Sequence, residues 1–130
     1  QLPGNFEKNK SRLESFCDFV QGNKKHVIEF RHSSWFTESI YELLNEYNIS
    51  LCLLSSPLKL PEQPLPGDKT AYIRFHGTDT WYDYYYNKNE LKDWDKFLKT
   101  SKLNSLYAYF NNDVNANAVD NSKTFRKMIA

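Results

Sequence analysis

Charged and polar side chains recur at alternate positions in short β-rich stretches of the chain. Glu29 and Arg31 are two residues apart, and so are Arg74 and His76. Because side chains of a β-strand alternate between its two faces, the members of each pair point the same way. Asn111 follows a later stretch of the same kind, on the equivalent face. We therefore predict that these five side chains share one face of a sheet, near the carboxyl ends of its strands.

These residue types can bind an anion and move protons. A guanidinium grips an oxyanion with two hydrogen bonds, so we predict that Arg31 and Arg74 bind an anionic substrate while Asn111 orients it. Glu29 or His76 is the candidate general acid or base, because a histidine with a pKa near 6.5 exchanges protons at neutral pH. Two arginines against one glutamate leave excess positive charge, which an anionic ligand would neutralise.

Structural roles remain open for the same residues. Glu29 and Arg31 can form a buried ion pair that ties neighbouring strands together. His76 can be a hydrogen-bonded core residue, and His32, on the opposite face, is expected to be structural.

The segment from Trp81 to Tyr86 (WYDYYY) directly follows a predicted strand and should overhang the same site. Tyr82 and its neighbours can stack on a base or a sugar. They can equally pack against their own domain.

We predict no metal site in this chain, because Glu29, His76 and Asp113 lie at no helical or hairpin spacing that fixes ligand geometry. The sequence has no glycine-rich phosphate loop, serine elbow or zinc-protease helix motif. It does not tell which cofactor, if any, the protein uses.

The apolar pattern alternates between helical and strand periods along the chain. We expect the order helix, strand, helix, strand, proline-rich loop at 56–69, strand, helix, strand, helix. The predicted strands are His26–Arg31, Ile49–Leu54, Thr70–Phe75 and Ser105–Phe110. Asn87 followed by Glu90 predicts a capped start for the third helix.

Strands that alternate with helices predict right-handed crossovers and a parallel sheet, with His26–Arg31 at one edge and Ser105–Phe110 at the other. Four such strands are about half of an eight-stranded (β/α) barrel, whose active site lies at the carboxyl ends of the strands. We expect two unpaired strand edges and one uncovered apolar sheet face. A complementary half or self-association should cover them.

Several segments of the chain are similar to signature segments of the YecE-like family, known as domain of unknown function 72. These segments are Gln1–Pro3, Glu29–Trp35, Arg74–Gly77, Asn87–Leu91 with Trp94, and Tyr109–Asp113. The resemblance covers residues 1–130 and corresponds to the C-terminal half of the family's domain. It implies a fold like that of triosephosphate isomerase and no established activity. Ser33 stands where the family often has proline.

The net charge, the cysteines and the length of the apolar segments limit the classes of function that we expect. The net charge is +1, which argues against bulk attraction to nucleic acid. Cys17 and Cys52 are expected to be buried free thiols, and no segment is long enough to span a bilayer, so we expect a cytoplasmic protein. We expect an enzyme that acts on an anionic or phosphate-bearing substrate. A nucleic-acid-binding or nuclease-like barrel and a non-catalytic interaction domain are the alternatives.

Overall fold

The computed structural model describes residues 1–22, 24–65, 67 and 69–130. In these residues, four strands and four α-helices follow one another in the predicted order. The strands are β1 (His26–Ile28), β2 (Ile49–Ser55), β3 (Thr70–Phe75) and β4 (Ser105–Phe110). The helices are α1 (Lys10–Val20), α2 (Glu38–Glu46), α3 (Lys88–Leu98) and α4 (Asn117–Ile129).

The sheet has the order β1-β2-β3-β4, and every neighbouring pair is parallel. This confirms the predicted topology, with β1 and β4 at the two edges. Parallel neighbours joined by crossovers on one side are the arrangement of half a (β/α) barrel. The carboxyl ends of all four strands therefore lie at one end of the sheet.

The core lies between the sheet and its helices, in two adjoining clusters. One packs β1 against α1 and α2 around the stacked rings of Phe30 and Trp35, whose centroids are 4.6 Å apart. The other packs β3 and β4 against α3 and α4 around Phe75, Phe110 and Phe125. All seven residues of β2 are buried, as expected for its nearly continuous apolar run.

The connection from β2 to β3 contains no helix in its described residues. Its prolines keep it irregular, as predicted. Leu60 packs against the first core cluster and Leu65 against the second. The loop thus covers part of the outer face that a crossover helix would otherwise occupy.

Two predicted elements have different bounds. We predicted that β1 runs to Arg31, but its ladder ends at Ile28, and the Glu29 carbonyl accepts a hydrogen bond from Leu2 N–H instead. We placed Val114 in the last helix, but it lies in a separate 3-10 turn, Val114–Ala116. Positive φ angles at Asn115 (57°) and Ala116 (59°) separate that turn from α4.

The open face of the sheet differs from the prediction of an apolar surface. Its exposed side chains are Val27, Tyr107 and Tyr109, and the Tyr72 ring stacks on Tyr109 at 4.9 Å. Glu29 and Arg74 lie on the same face. The uncovered face is aromatic and polar because tyrosine and arginine side chains of β3 and β4 point toward it, whereas the alternate positions of both strands hold apolar core residues.

Candidate functional site

Glu29 is the centre of the polar cluster. Its side chain is buried, and its two carboxylate oxygens accept hydrogen bonds from Arg31 Nε and Arg74 Nη1, each at 2.7 Å. Arg31 comes from the same segment and Arg74 from β3, so the carboxylate joins two elements. The predicted ion pair is present, and it is a bridge between two arginines.

The ionisation of Glu29 follows from this bridge. Burial raises the pKa of the Glu29 carboxyl, but the hydrogen bonds and charges of Arg74 and Arg31 outweigh burial, and the net pKa is below its ordinary value. Glu29 is therefore a carboxylate at neutral pH and a weak proton acceptor.

Arg74 is held from three sides. Besides Glu29, its Nε donates to Asn111 Oδ1 at 3.2 Å and its Nη1 donates to Gln1 Oε1 at 2.9 Å. Asn111 thus orients an arginine in this structure, although we predicted that it orients a substrate. Gln1 was not predicted as a site residue. The only indication in the sequence was its place in the signature-like segment Gln1–Pro3.

A small concave pocket opens beside this bridge on the open face of the sheet. Its volume is about 210 Å³, and Gln1, Glu29, Cys52, Tyr72 and Arg74 are among its lining residues. Pockets for drug-sized ligands occupy roughly 300–1,000 Å³, so this one suits a smaller molecule.

Cys52 lies in this pocket without being reactive. Burial and the negative charge of Glu29 raise the pKa of its thiol above the ordinary value. A protonated thiol is a poor nucleophile. Both cysteines are free and buried, as predicted.

His76 follows β3 and is 0% exposed. Its ring makes edge contacts with the Trp81 ring at 5.2 Å and the Tyr82 ring at 5.7 Å. Neither ring nitrogen has a hydrogen-bond partner among the described residues. Burial lowers the pKa of His76 to about 4, and the charge of Arg74 acts in the same direction. The imidazole is therefore neutral at pH 7.

The two ends of the aromatic segment after β3, Trp81–Tyr86, lie in different environments. Trp81 lies under the guanidinium of Arg31, whose central carbon is 5.3 Å from the ring centroid. Tyr82 is 44% exposed. Tyr86 is buried against Phe75, with ring centroids 5.2 Å apart. The end of the segment packs into the core, and its start forms the rim of the polar cluster.

Two buried asparagines hold this segment in place. Asn121 of α4 accepts from Tyr86 N–H and donates to the Tyr86 carbonyl, so its side chain imitates a backbone partner. Asn112 donates from Nδ2 to Asn121 Oδ1 and to the Tyr84 carbonyl, both at 2.8 Å. Sequence reasoning missed both residues, because nothing local to them shows a contact with a loop about 30 positions away.

Gly77 allows the segment to turn back over His76. Its φ is +115°, and a Cβ here would lie 2.1 Å from the Thr80 carbonyl oxygen. Tyr82 N–H then donates to the His76 carbonyl at 2.7 Å, which closes the turn.

The other predictions concern positions outside this cluster. His32 Nδ1 contacts Ser34 Oγ at 2.8 Å, which fits its structural role. Among the residues that the structure describes, no group of three or more His, Cys, Asp or Glu side chains can hold a metal ion. In the same residues, every helix is too short or too polar to cross a membrane.

Comparisons with known proteins agree with this architecture. The chain is 26% identical over 157 aligned residues to the UPF0759 protein YunF of Bacillus subtilis strain 168, which covers 99% of this chain and 56% of that protein. A crystal structure of a DUF72 family protein from Thermotoga maritima superposes with a TM-score of 0.85 at 28% identity, over 99% of this chain and 55% of the other. A DUF72 family protein from Enterococcus faecalis V583 shares the fold, with a TM-score of 0.80 at 21% identity over 99% of this chain and 59% of that one.

The chain therefore spans a little over half the length of these relatives. The family model described as "Protein of unknown function DUF72" matches residues 1–130, the whole of the chain. The chain belongs to the DUF72 family.

Proposed function

We propose that the chain contributes a site for a small anionic, phosphate-bearing ligand and that His76 exchanges a proton with this ligand. The observation that carries the proposal is the sharing of one carboxylate by two guanidinium groups. Two positive charges and one negative charge leave a net charge of +1 at the bridge. A bound oxyanion would neutralise this excess in a partly buried setting, where charges are weakly screened.

The ligand would bind to the outer N–H groups of the arginines. Glu29 itself occupies the space between the two guanidinium groups, so the anion would bind on their outer sides. Within the described part of the chain, Arg31 Nη1, Arg31 Nη2 and Arg74 Nη2 make no hydrogen bond. Arg31 thus offers both of its terminal nitrogens as a planar donor pair for phosphate, and Arg74 adds the single nitrogen Nη2.

We predicted that either Glu29 or His76 is the general acid or base. Within this proposal His76 has that role, and Glu29 positions the arginines. The lowered pKa of Glu29 suits a carboxylate that fixes the arginines. The neutral ring of His76 can accept a proton, and an anion bound nearby would raise its pKa toward neutrality. Asn111 then positions the ligand indirectly, by orienting the guanidinium of Arg74.

A nucleic-acid ligand is the second candidate, and the half-exposed ring of Tyr82 favours it. Tyr82 adjoins Trp81, and the guanidinium of Arg31 lies over the Trp81 ring, so a base could stack on Tyr82 while its phosphate meets the arginine. With a net charge of only +1, the chain would have to derive such binding from this site alone. An interaction domain without a ligand is the third candidate.

Titration calorimetry with inorganic phosphate tests the proposal on four proteins. Arg74→Lys keeps the charge but loses the free Nη2 donor and the bond to Asn111 that orients the side chain, so we expect about tenfold weaker binding. Glu29→Gln changes the local charge from +1 to +2 and should strengthen binding. Arg126→Lys, at an exposed position on α4, is the matched control and should bind like the unmodified chain.

Equal affinity in all four proteins would contradict the anion site, as would an Arg74→Lys variant that unfolds in circular dichroism with no effect of phosphate. Binding of a single-stranded oligonucleotide with a steep salt dependence, and no binding of inorganic phosphate, would favour the second candidate.

A further inference from the structure

The ring of His76 has hydrogen-bonding capacity that its described surroundings do not use. Both ring nitrogens are buried, and neither has a partner among the described residues. Leaving buried polar groups unpaired is unfavourable, and such groups in a native site often mark the place of a ligand.

A neutral imidazole needs two different partners, because one nitrogen donates and the other accepts. The rings of Trp81 and Tyr82 meet His76 edge to face. An aromatic face can receive an N–H group weakly, but the π-face of a ring donates nothing to the accepting nitrogen. A phosphate group without a proton supplies acceptors only, so it too leaves that nitrogen unpaired.

We propose that the ligand of this site carries a hydroxyl group next to its anionic group, as in a phosphate ester of a polyol, and that the hydroxyl pairs with His76. This inference rests on the proposed anion site at Arg31 and Arg74 and adds the chemical class of the ligand. A hydroxyl is both donor and acceptor, so it can donate to the free nitrogen of the ring.

The positions of the groups support one ligand that reaches both. The centroid of the Trp81 ring lies 5.2 Å from that of the His76 ring and 5.3 Å from the central guanidinium carbon of Arg31, so Trp81 contacts both the imidazole and the bridge. The bridge and the imidazole therefore belong to one continuous site.

Access to His76 runs past Tyr82. The imidazole is covered by Trp81 and Tyr82, and the Tyr82 side chain is half exposed at the rim. Rotamer changes of exposed side chains are fast, so we expect rotation of the Tyr82 ring to open the site.

Calorimetry with two phosphate esters on a three-carbon chain tests the inference. Glycerol 3-phosphate carries hydroxyl groups and propyl phosphate carries none, while the anionic group is the same. We expect glycerol 3-phosphate to bind the unmodified chain about tenfold more tightly. In His76→Phe the two esters should bind equally. His76→Gln should keep part of the preference, because its amide both donates and accepts.

The outcomes separate this inference from the proposed function. A preference for glycerol 3-phosphate that disappears in His76→Phe and persists in part in His76→Gln supports it. Equal affinity of the two esters for the unmodified chain, with weaker binding of both in Arg74→Lys, overturns the hydroxyl inference and leaves the anion site intact. No binding of either ester or of inorganic phosphate overturns both.

Discussion

At the residue scale, the alternation of strand side chains was enough to group most of the site. Glu29, Arg31, Arg74 and Asn111 share one hydrogen-bonded cluster, as alternation predicted, although only Arg74 lies within a strand and the other three follow the ends of β1 and β4. The same rule could not reveal that Glu29 bridges both arginines, since side-chain torsions decide that contact. Gln1 could not be found either, because a residue at the start of the chain has no strand pattern to read.

The pH dependence of stability should report the environment of His76. Burial lowers its pKa from 6.5 to about 4, so between these values the unfolded chain binds a proton that the folded chain does not. The stability associated with His76 is therefore complete above pH 6.5 and falls as the pH drops toward 4. The loss should be about 3 kcal/mol, because each pKa unit corresponds to roughly 1.4 kcal/mol.

Urea denaturation at a series of pH values measures this effect. Replacement of His76 by Phe should flatten the profile in that window, and His26→Gln, at a half-buried position of β1, should leave it steep. Glu29 adds a separate loss at lower pH, since its folded pKa lies below its ordinary 4.5 and protonation breaks the bridge. A steep profile between pH 6.5 and 4 in His76→Phe would show that another group is responsible.

At the scale of elements, periodicity predicted the helices and strands well, since their apolar stripes face a common core. Asn87 and Glu90 form the predicted capping box at the start of α3. The errors lie where tertiary contacts or backbone geometry overrule the local pattern. The Glu29 carbonyl accepts from Leu2 N–H, and β1 ends before it. Asn115 and Ala116 have positive φ angles, which the sequence did not indicate because neither residue is glycine.

The hydrogen bonds of Asn121, which clamp the aromatic segment to α4, should contribute strongly to stability. Asn121→Ala removes the side chain that satisfies the backbone N–H and carbonyl of Tyr86, and it also removes a partner of Asn112. We expect a loss of about 2–4 kcal/mol in the free energy of unfolding, measured by chemical denaturation. Lys123→Ala, at an exposed position of the same helix, should change it by less than about 0.5 kcal/mol. Similar losses in both variants would mean that the clamp contributes little.

At the scale of the whole molecule, the sheet has two edge strands and an open face with exposed aromatic rings. Tyr107 and Tyr109 are each 47% exposed on that face. Strand order and edge positions followed from the alternation of helices and strands. The aromatic character of the open face was visible in the sequence, but we took the face to be apolar.

We predict that the 130-residue chain self-associates through this face and its edges. Sedimentation velocity should show an average mass that rises with concentration. The double variant Tyr107→Lys/Tyr109→Lys should shift the chain toward monomer, because lysine ammonium groups resist burial in a second copy. Phe19→Lys changes an aromatic residue that is 87% exposed on α1, outside this face, and should have no effect. A monomer at every concentration, with sharp cooperative unfolding, would contradict the prediction.

In the proposed site, Arg31 and Arg74 hold an oxyanion while Glu29 fixes them. A crystal structure of the chain with selenate, located by the anomalous signal of selenium, tests it most directly. We predict an anomalous peak from a selenate ion beside both arginines. The selenate oxygen atoms should lie roughly 2.7–3.2 Å from guanidinium nitrogens of Arg31 and Arg74, with the Glu29 bridge intact. Selenate bound only at other positions, with nothing at either guanidinium, would contradict the claim.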